Sequence, residues 1–442
     1  MTAAVLPRPI EVSHRHMLAL ALPMTLSHVT TPLLGLVDAT VIGRLGEAHL
    51  LGAVALGAVI FDFLFWTFGS LRMATAGLTA QATGAGDRRE VDRTLARALS
   101  VAAAVGLLLI LLQWPIAVLA IRLAGASDAV NEALSTYFFI RIWAAPATLA
   151  NYVILGSTLG RGRTDLGLVL QVAINVANIL LTIALVMGLG YGIAGAAAGT
   201  ALAEVFGALL GIAVLRRLGS NPFRITVGEI VDRAAMIRTL AVNRDIMIRT
   251  VALLAAFAIF TAIGARSGDV TLAANAVLYN MFLIGGYFLD GFATAAEVLC
   301  GQSLGARNER SFRRAIHLSL VWSLGFGLGL SALFLIGGGW FIDFVSTNAE
   351  VRAHARDYLV FAALTPLFGA AAFTYDGIYI GATWTRPMRD LMLAALAAYG
   401  ATILIARDFG NTGLWIAFLV FLAMRGLGQA ALSGRLTRRA FP

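Results

Sequence analysis

Apolar runs dominate the chain, and short polar breaks divide them. Runs of about 20 residues, the helical length that crosses ~30 Å of hydrocarbon, fall at 16–42, 48–76, 95–120, 129–157, 165–189 and 192–215. Six more fall at 246–265, 271–301, 315–342, 353–381, 390–407 and 412–434. Glycine-bearing turns such as GLGYG (188–192) and ARDFGNTG (406–413) separate them. The pattern predicts an all-α polytopic membrane protein with twelve transmembrane helices.

Polar positions repeat at an offset of 221. QATGAGDRREVDR (81–93) aligns with QSLGARNERSFRR (302–314), pairing Gln81 with Gln302, Gly84 with Gly305, Arg89 with Arg310 and Arg93 with Arg314. The same offset pairs Gly156 with Gly377 and Gly160 with Gly381. Six spans per half is an even number, so both halves insert the same way, as two six-helix bundles related by a pseudo-twofold axis along the membrane normal. The expected domains are an N-terminal bundle (1–215), a cytoplasmic linker (216–245) and a C-terminal bundle (246–442). In the linker, Thr226 and Glu229 form a candidate capping box. Val227, Ile230, Val231, Ala234 and Ile237 recur at helical spacing. The spacing predicts an amphipathic helix on the inner leaflet with its arginines near anionic lipid headgroups; a plain tether is the alternative.

Composition agrees with the pattern. The chain is 59% hydrophobic and 13% charged, with mean hydropathy +0.83, against about 25% charged in soluble domains. All 33 basic residues are arginine, which excludes a Walker A lysine and lysine Schiff-base chemistry; a separate ATPase subunit stays open. Cys300 is the single cysteine, and the six histidines show no metal-binding spacing, so no disulfide, metal or cofactor is expected. The pI of about 10.4 reflects topology, not nucleic acid. With the N-terminus inside, 23 arginines, from Arg8 and Arg15 to Arg438 and Arg439, fall on the cytoplasmic side and six outside. That is the positive-inside pattern, and it places a multi-pass protein in the cell (inner) membrane with both termini cytoplasmic. The first apolar run is longer than a cleavable signal's h-region.

Ten ionisable residues lie inside the spans: Asp38, Asp62, Glu204, Asp290, Glu297, Asp376, Arg72, Arg141, Arg249 and Arg425. Facing lipid they would cost on the order of 25–35 kcal/mol, so most face water or one another. Similar depths make Arg249–Glu297 a candidate structural pair, and Asp376 is placed near the inner interface. Glu204, Arg425 and Asp62 are open between structural and functional roles. Asn275, Tyr279, Asp290 and Glu297 form one polar stripe, either cavity lining or packing between helices. Phe61, Phe65, Trp66, Met281, Phe282 and Phe288 divide similarly between an apolar lining and ordinary packing. Asp38 stands apart. Its counterpart at the 221 offset is Ile259, and it shares its span with Pro23 and Pro32, which remove backbone donors and bend helices. Protonation there would change charge, hydration and bend together. Permanent pairing with Arg141 or Arg72 is the alternative.

ALPMTLSHVTTPLLGLVDATVIGRLG, LRMATAGLTAQATGAGD, AVNRDIMIR, LDGFATAAEVLCGQSLGAR, DGIYIGAT and LAMRGL together closely resemble the DinF-like branch of the multidrug and toxic compound extrusion (MATE) family. The likeness covers nearly the whole chain. It implies two six-helix bundles facing each other in a V, and export of amphipathic, often cationic, organic compounds in exchange for H⁺ or Na⁺. It further implies that Asp38 is the cation-coupling carboxylate, Pro23 the bend in span 1, and Asn178 a cavity residue. Many relatives carry a second acid where this chain has Thr182. That departure leaves Asp38 with Asn151, Asn175, Asn178 and Thr182 as the polar set, to which Arg141 and Asp290 are added. Thr182 and the Asn carbonyls offer oxygens to Na⁺, but H⁺ is the preferred ion. The leading expectation is a monomeric H⁺-coupled antiporter of small amphipathic molecules, not an enzyme. The runner-up is a lipid-linked precursor flippase of the same superfamily. A membrane enzyme would need a convergent acid/base or metal set, and a channel a filter motif; neither is visible.

Overall fold

The computed structural model describes residues 12–442, with the backbone alone at 29, 31–34 and 36; Arg8 and the ring of Pro32 lie outside what is described. Every described element is a helix. The first half holds α1 (His14–Gly43), α2 (Ala48–Thr67), α3 (Ser70–Gly84), α4 (Arg88–Leu111), α5 (Gln113–Ala124), α6 (Asp128–Arg141), α7 (Ala145–Gly160), α8 (Thr164–Ile183) and α9 (Gly192–Arg217). After the four-residue α10 (Val227–Ile230) come α11 (Arg233–Arg266), α12 (Asp269–Gly305), α13 (Glu309–Val345), α14 (Ala349–Gly381), α15 (Thr385–Ile405) and α16 (Gly410–Ala440).

From Ala48 onward, 11 helical stretches are long and apolar enough to cross a membrane. With the 30-residue α1 they account for the twelve expected spans. Their outward faces are apolar: Leu111 is 79% exposed, Ile336 87% and Leu404 73%. Hydrocarbon tolerates such a surface; water does not.

Three elements differ from the sequence expectation. The second span breaks at Phe68–Gly69 into α2 and α3. The third ends at Leu111, and α5, at 12 residues, is too short to cross. Pro115 lies in its first turn, where it has no N–H for the carbonyl of Leu111. The predicted linker helix is also interrupted. α10 forms with the expected capping box, but Asp232 accepts from the backbone N–H of Ala235 at 2.8 Å and caps a new helix. Ala234 and Ile237 therefore belong to α11, which runs on into the seventh span.

The chain forms two compact units. One comprises Leu26–Ala82 and Asp87–Asn243, with Phe61, Phe138, Ile142 and Leu149 fully enclosed at its centre. The other comprises Arg244–Pro442, Thr83–Gly86 and the chain up to Thr25, built around Phe260, Tyr399, Trp415 and Phe418. α1 changes unit two residues after Pro23. Its first turns pack on α13, where the Ser319 hydroxyl meets Met17 Sδ at 3.7 Å and Trp322 Nε1 donates to His14 Nδ1 at 3.0 Å.

The repeat is visible atom by atom inside each unit. A Cβ on Gly156 or Gly160 would strike the carbonyl of Arg72 or Ala76, and one on Gly377 or Gly381 that of Ala293 or Glu297. All four pairs obey the 221 offset. Only glycine permits the close approach of α3 to α7 and of α12 to α14. The following helices are capped alike: Asp87 accepts from the N–H of Glu90, and Asn308 from that of Ser311, both at 2.9 Å.

Candidate functional site

The candidate site lies in the first of these units and grows from one face of α8. Gln171, Asn175, Asn178 and Thr182 recur every three or four residues, which aligns them on that face. Gln171 Nε2 donates to Asn175 Oδ1 at 3.1 Å, and Asn175 Nδ2 to the Thr30 hydroxyl of α1 at 3.2 Å. Asn178 Nδ2 donates to the Thr200 hydroxyl of α9 at 3.1 Å, while Thr182 donates to Asn178 Oδ1 at 3.4 Å. Asn175, Asn178 and Thr182 are all buried. A polar ladder thus ties α8 to α1 on one side and to α9 on the other.

Asp38 hangs from α1 beside the top of this ladder. It is half-buried and faces the Thr182 hydroxyl. Its Oδ1 is enclosed and has no hydrogen-bond partner among the described residues. Arg141 acts on it electrostatically, yet no carboxylate lies within ion-pair distance of Arg141 among the described residues. Instead the guanidinium donates to the Tyr137 hydroxyl at 2.8 Å and rests 4.7 Å above the centroid of the Phe61 ring, a cation–π arrangement. Asn151 serves a different acid: its Nδ2 donates to Glu204 Oε2 at 2.7 Å and to the Glu204 carbonyl at 2.9 Å.

Of the sequence-selected polar set, Asp38, Asn151, Asn175, Asn178, Thr182 and Arg141 share this unit. Asp290 belongs to the other, where it acts on Arg425. Thr30, Thr200 and Tyr137 complete the site but carry no sequence signal beyond helical spacing. Phe61, Phe65, Met281 and Phe282 are buried packing residues, whereas Trp66 is exposed.

The second unit holds a different arrangement. Asp376, expected near the interface, is 4% exposed. It accepts from Arg249, from Arg425 at 2.6 Å and from Gln429 at 2.7 Å. The partner seen for Arg249 among the described residues is therefore Asp376, where the sequence expectation was Glu297. Depth along a helix, which motivated the expected pair, sets the level of a side chain but not the direction in which it points. The i, i+4 spacing of Arg425 and Gln429 was the available signal. The stripe on α12 is packing at its N-terminal end. Asn275 and Asn411 exchange hydrogen bonds at 2.7 and 3.0 Å, and Trp415 Nε1 donates to Asn275 Oδ1 at 2.9 Å.

The MatE family model matches residues 23–184 and 246–406. The chain is 40% identical to DNA damage-inducible protein F of Escherichia coli (strain K12) over 420 residues, covering 93% of this chain and 90% of that one. It is 29% identical to the probable multidrug resistance protein NorM of Deinococcus radiodurans, covering 96% and 95%. Among solved structures, "Crystal structure of MATE in the bent conformation" superposes with a TM-score of 0.87 at 18% identity over 96% of both chains, a likeness of fold.

Proposed function

The chain belongs to the MatE family of membrane transporters, and from that premise we propose that it is an H⁺-coupled antiporter that exports amphipathic and cationic organic compounds. Asp38 is the coupling carboxylate. The observation that carries this reading is the contrast between two acids at membrane depth. Asp376 is closed in by two guanidiniums and an amide, whereas among the described residues Asp38 has an enclosed oxygen without a hydrogen-bond partner and no ion pair. An acid held by two fixed cations has no reason to exchange its proton, while one beside hydroxyls and amides has room to do so. Pro23, two residues before α1 changes unit, is the bend through which the state of Asp38 reaches the helix. The relative from Deinococcus radiodurans, a probable multidrug resistance protein, supports the substrate class. The arginine asymmetry supports insertion in the inner membrane with both termini cytoplasmic.

Proton entry supplies about 2.3 kcal/mol per 100 mV of membrane potential, in addition to the pH difference. The test is dye efflux from proteoliposomes under an imposed ΔpH or ΔNa⁺. Wild type moves the dye under ΔpH alone, and Asp38→Asn abolishes that movement. Efflux that follows sodium and ignores ΔpH overturns the choice of ion. Unimpaired ΔpH-driven efflux by the variant removes Asp38 from the mechanism.

A further inference from the structure

Arg141 interacts electrostatically with acids on three separate helices and, among the described residues, forms an ion pair with none of them. Asp38 on α1, Asp62 on α2 and Glu204 on α9 all act on its charge or are acted on by it. Its one hydrogen bond among the described residues is to Tyr137 on its own helix. Tyr152 on α7 stands in the same field, with Arg72 of α3 also acting on that phenol. Glu204 is anchored by Asn151, and Thr148 addresses the same carboxyl. Phe61 and Tyr137 carry the guanidinium on their ring faces. An arginine has five donors, and a single neutral acceptor leaves most of them free to be claimed. A held cation would show a bidentate carboxylate; this one rests on aromatic faces among three acids.

We propose that Arg141 is a positioning residue for the transport reaction, a counter-cation shared by Asp38 and Glu204 whose allegiance follows the protonation of Asp38. When Asp38 is ionised, the guanidinium favours Asp38. When Asp38 takes a proton, that attraction vanishes and the guanidinium turns to Glu204, whose carboxylate is already held in place by Asn151. Asp62 adds negative charge to the same field and keeps Arg141 from leaving it. No proton is passed along this route; the charge of Arg141 moves while its protons stay.

This rests on the reading of Asp38 given above, and the variants separate the two. A positive neighbour favours the ionised carboxylate, so the two substitutions have opposite signs. Arg141→Gln moves the pH profile of ΔpH-driven efflux to higher pH by about one unit. Glu204→Gln frees Arg141 for Asp38 and moves the profile to lower pH. The double variant follows Arg141→Gln, because without the cation Glu204 has nothing to compete for. Arg141→Lys keeps the wild-type profile. The same order is read without transport from the infrared C=O band of protonated Asp38, identified by its loss in Asp38→Asn, so a variant that folds but does not pump still reports. A purely structural Arg141 lowers the rate at an unchanged profile and leaves the band's pH dependence in place, which overturns the inference. So does a shift of the same sign in both single variants. If Asp38→Asn itself pumps normally, the coupling assignment fails instead.

Discussion

Arg307 and Thr383 are the two non-glycine residues with positive φ among the described residues, at 52° and 53°. Their repeat partners at the 221 offset are Gly86 and Gly162, with φ of 71° and 75°. Both halves therefore make the same two left-handed turns, and only the first half makes them with the residue that tolerates them. Arg307→Gly and Thr383→Gly are each expected to stabilise the protein by about 0.5–1 kcal/mol, the relief of strain exceeding the added freedom of the unfolded chain. The measurement is the thermal midpoint in detergent; a fall for both variants contradicts the prediction. The offset was legible from Gln81/Gln302 and Arg89/Arg310, but the strain at Arg307 was not, because backbone conformation is invisible until the loop is closed. Asp38 was legible for the opposite reason: an acid in an apolar run without a repeat counterpart is conspicuous at sight.

The linker shows how one element was half legible. Its capping box was read correctly from Thr226 and Glu229, but a capping glutamate has a second carboxylate oxygen. Here Oε1 accepts from Arg93 at 2.7 and 2.9 Å and from Arg89 at 2.9 and 3.0 Å, while Oε2 caps Thr226. A second clasp joins Asp92 to Ser220, whose hydroxyl also accepts from Arg161 at 2.7 Å. The segment is thereby fastened to α4 and α7. The Arg93 bond, with the Thr226 N–H and Arg89 behind it, holds the Glu229 carboxyl down to about 2. Because that value lies below the ordinary glutamate range of about 4.3, the clasp is complete above that range and is lost as pH falls toward 2. Neutral-pH changes leave it closed. Hydrogen exchange of residues 219–231 is expected to be constant between pH 5 and 8 after correction for intrinsic rates, and to rise in Glu229→Gln. Equal protection in that variant would show the clasp to be idle.

Taken entire, the molecule has two units with the same skeleton and opposite electrical habits. Each holds three acids and two arginines at membrane depth, and the offset sets Glu204 against Arg425, one position with opposite signs. The second unit closes Arg249 and Arg425 around Asp376; in the first, among the described residues, Arg141 forms no ion pair with Asp38, Asp62 or Glu204. Asp376→Asn strands Arg249 and Arg425 in a buried site, at a cost of about 3–5 kcal/mol. It is expected to lose folded protein in detergent gel filtration, whereas Asp38→Asn elutes as wild type; a stable Asp376→Asn would mean that the cluster is hydrated and weak. Twelve spans, the repeat and the presence of Asp38 at membrane depth were written in the chain, since membrane insertion and helix periodicity depend on short stretches of sequence. Which cation meets which acid was decided by packing, because partners such as Arg249 and Asp376 lie 127 residues apart and meet only once α11 and α14 have taken their places in the unit.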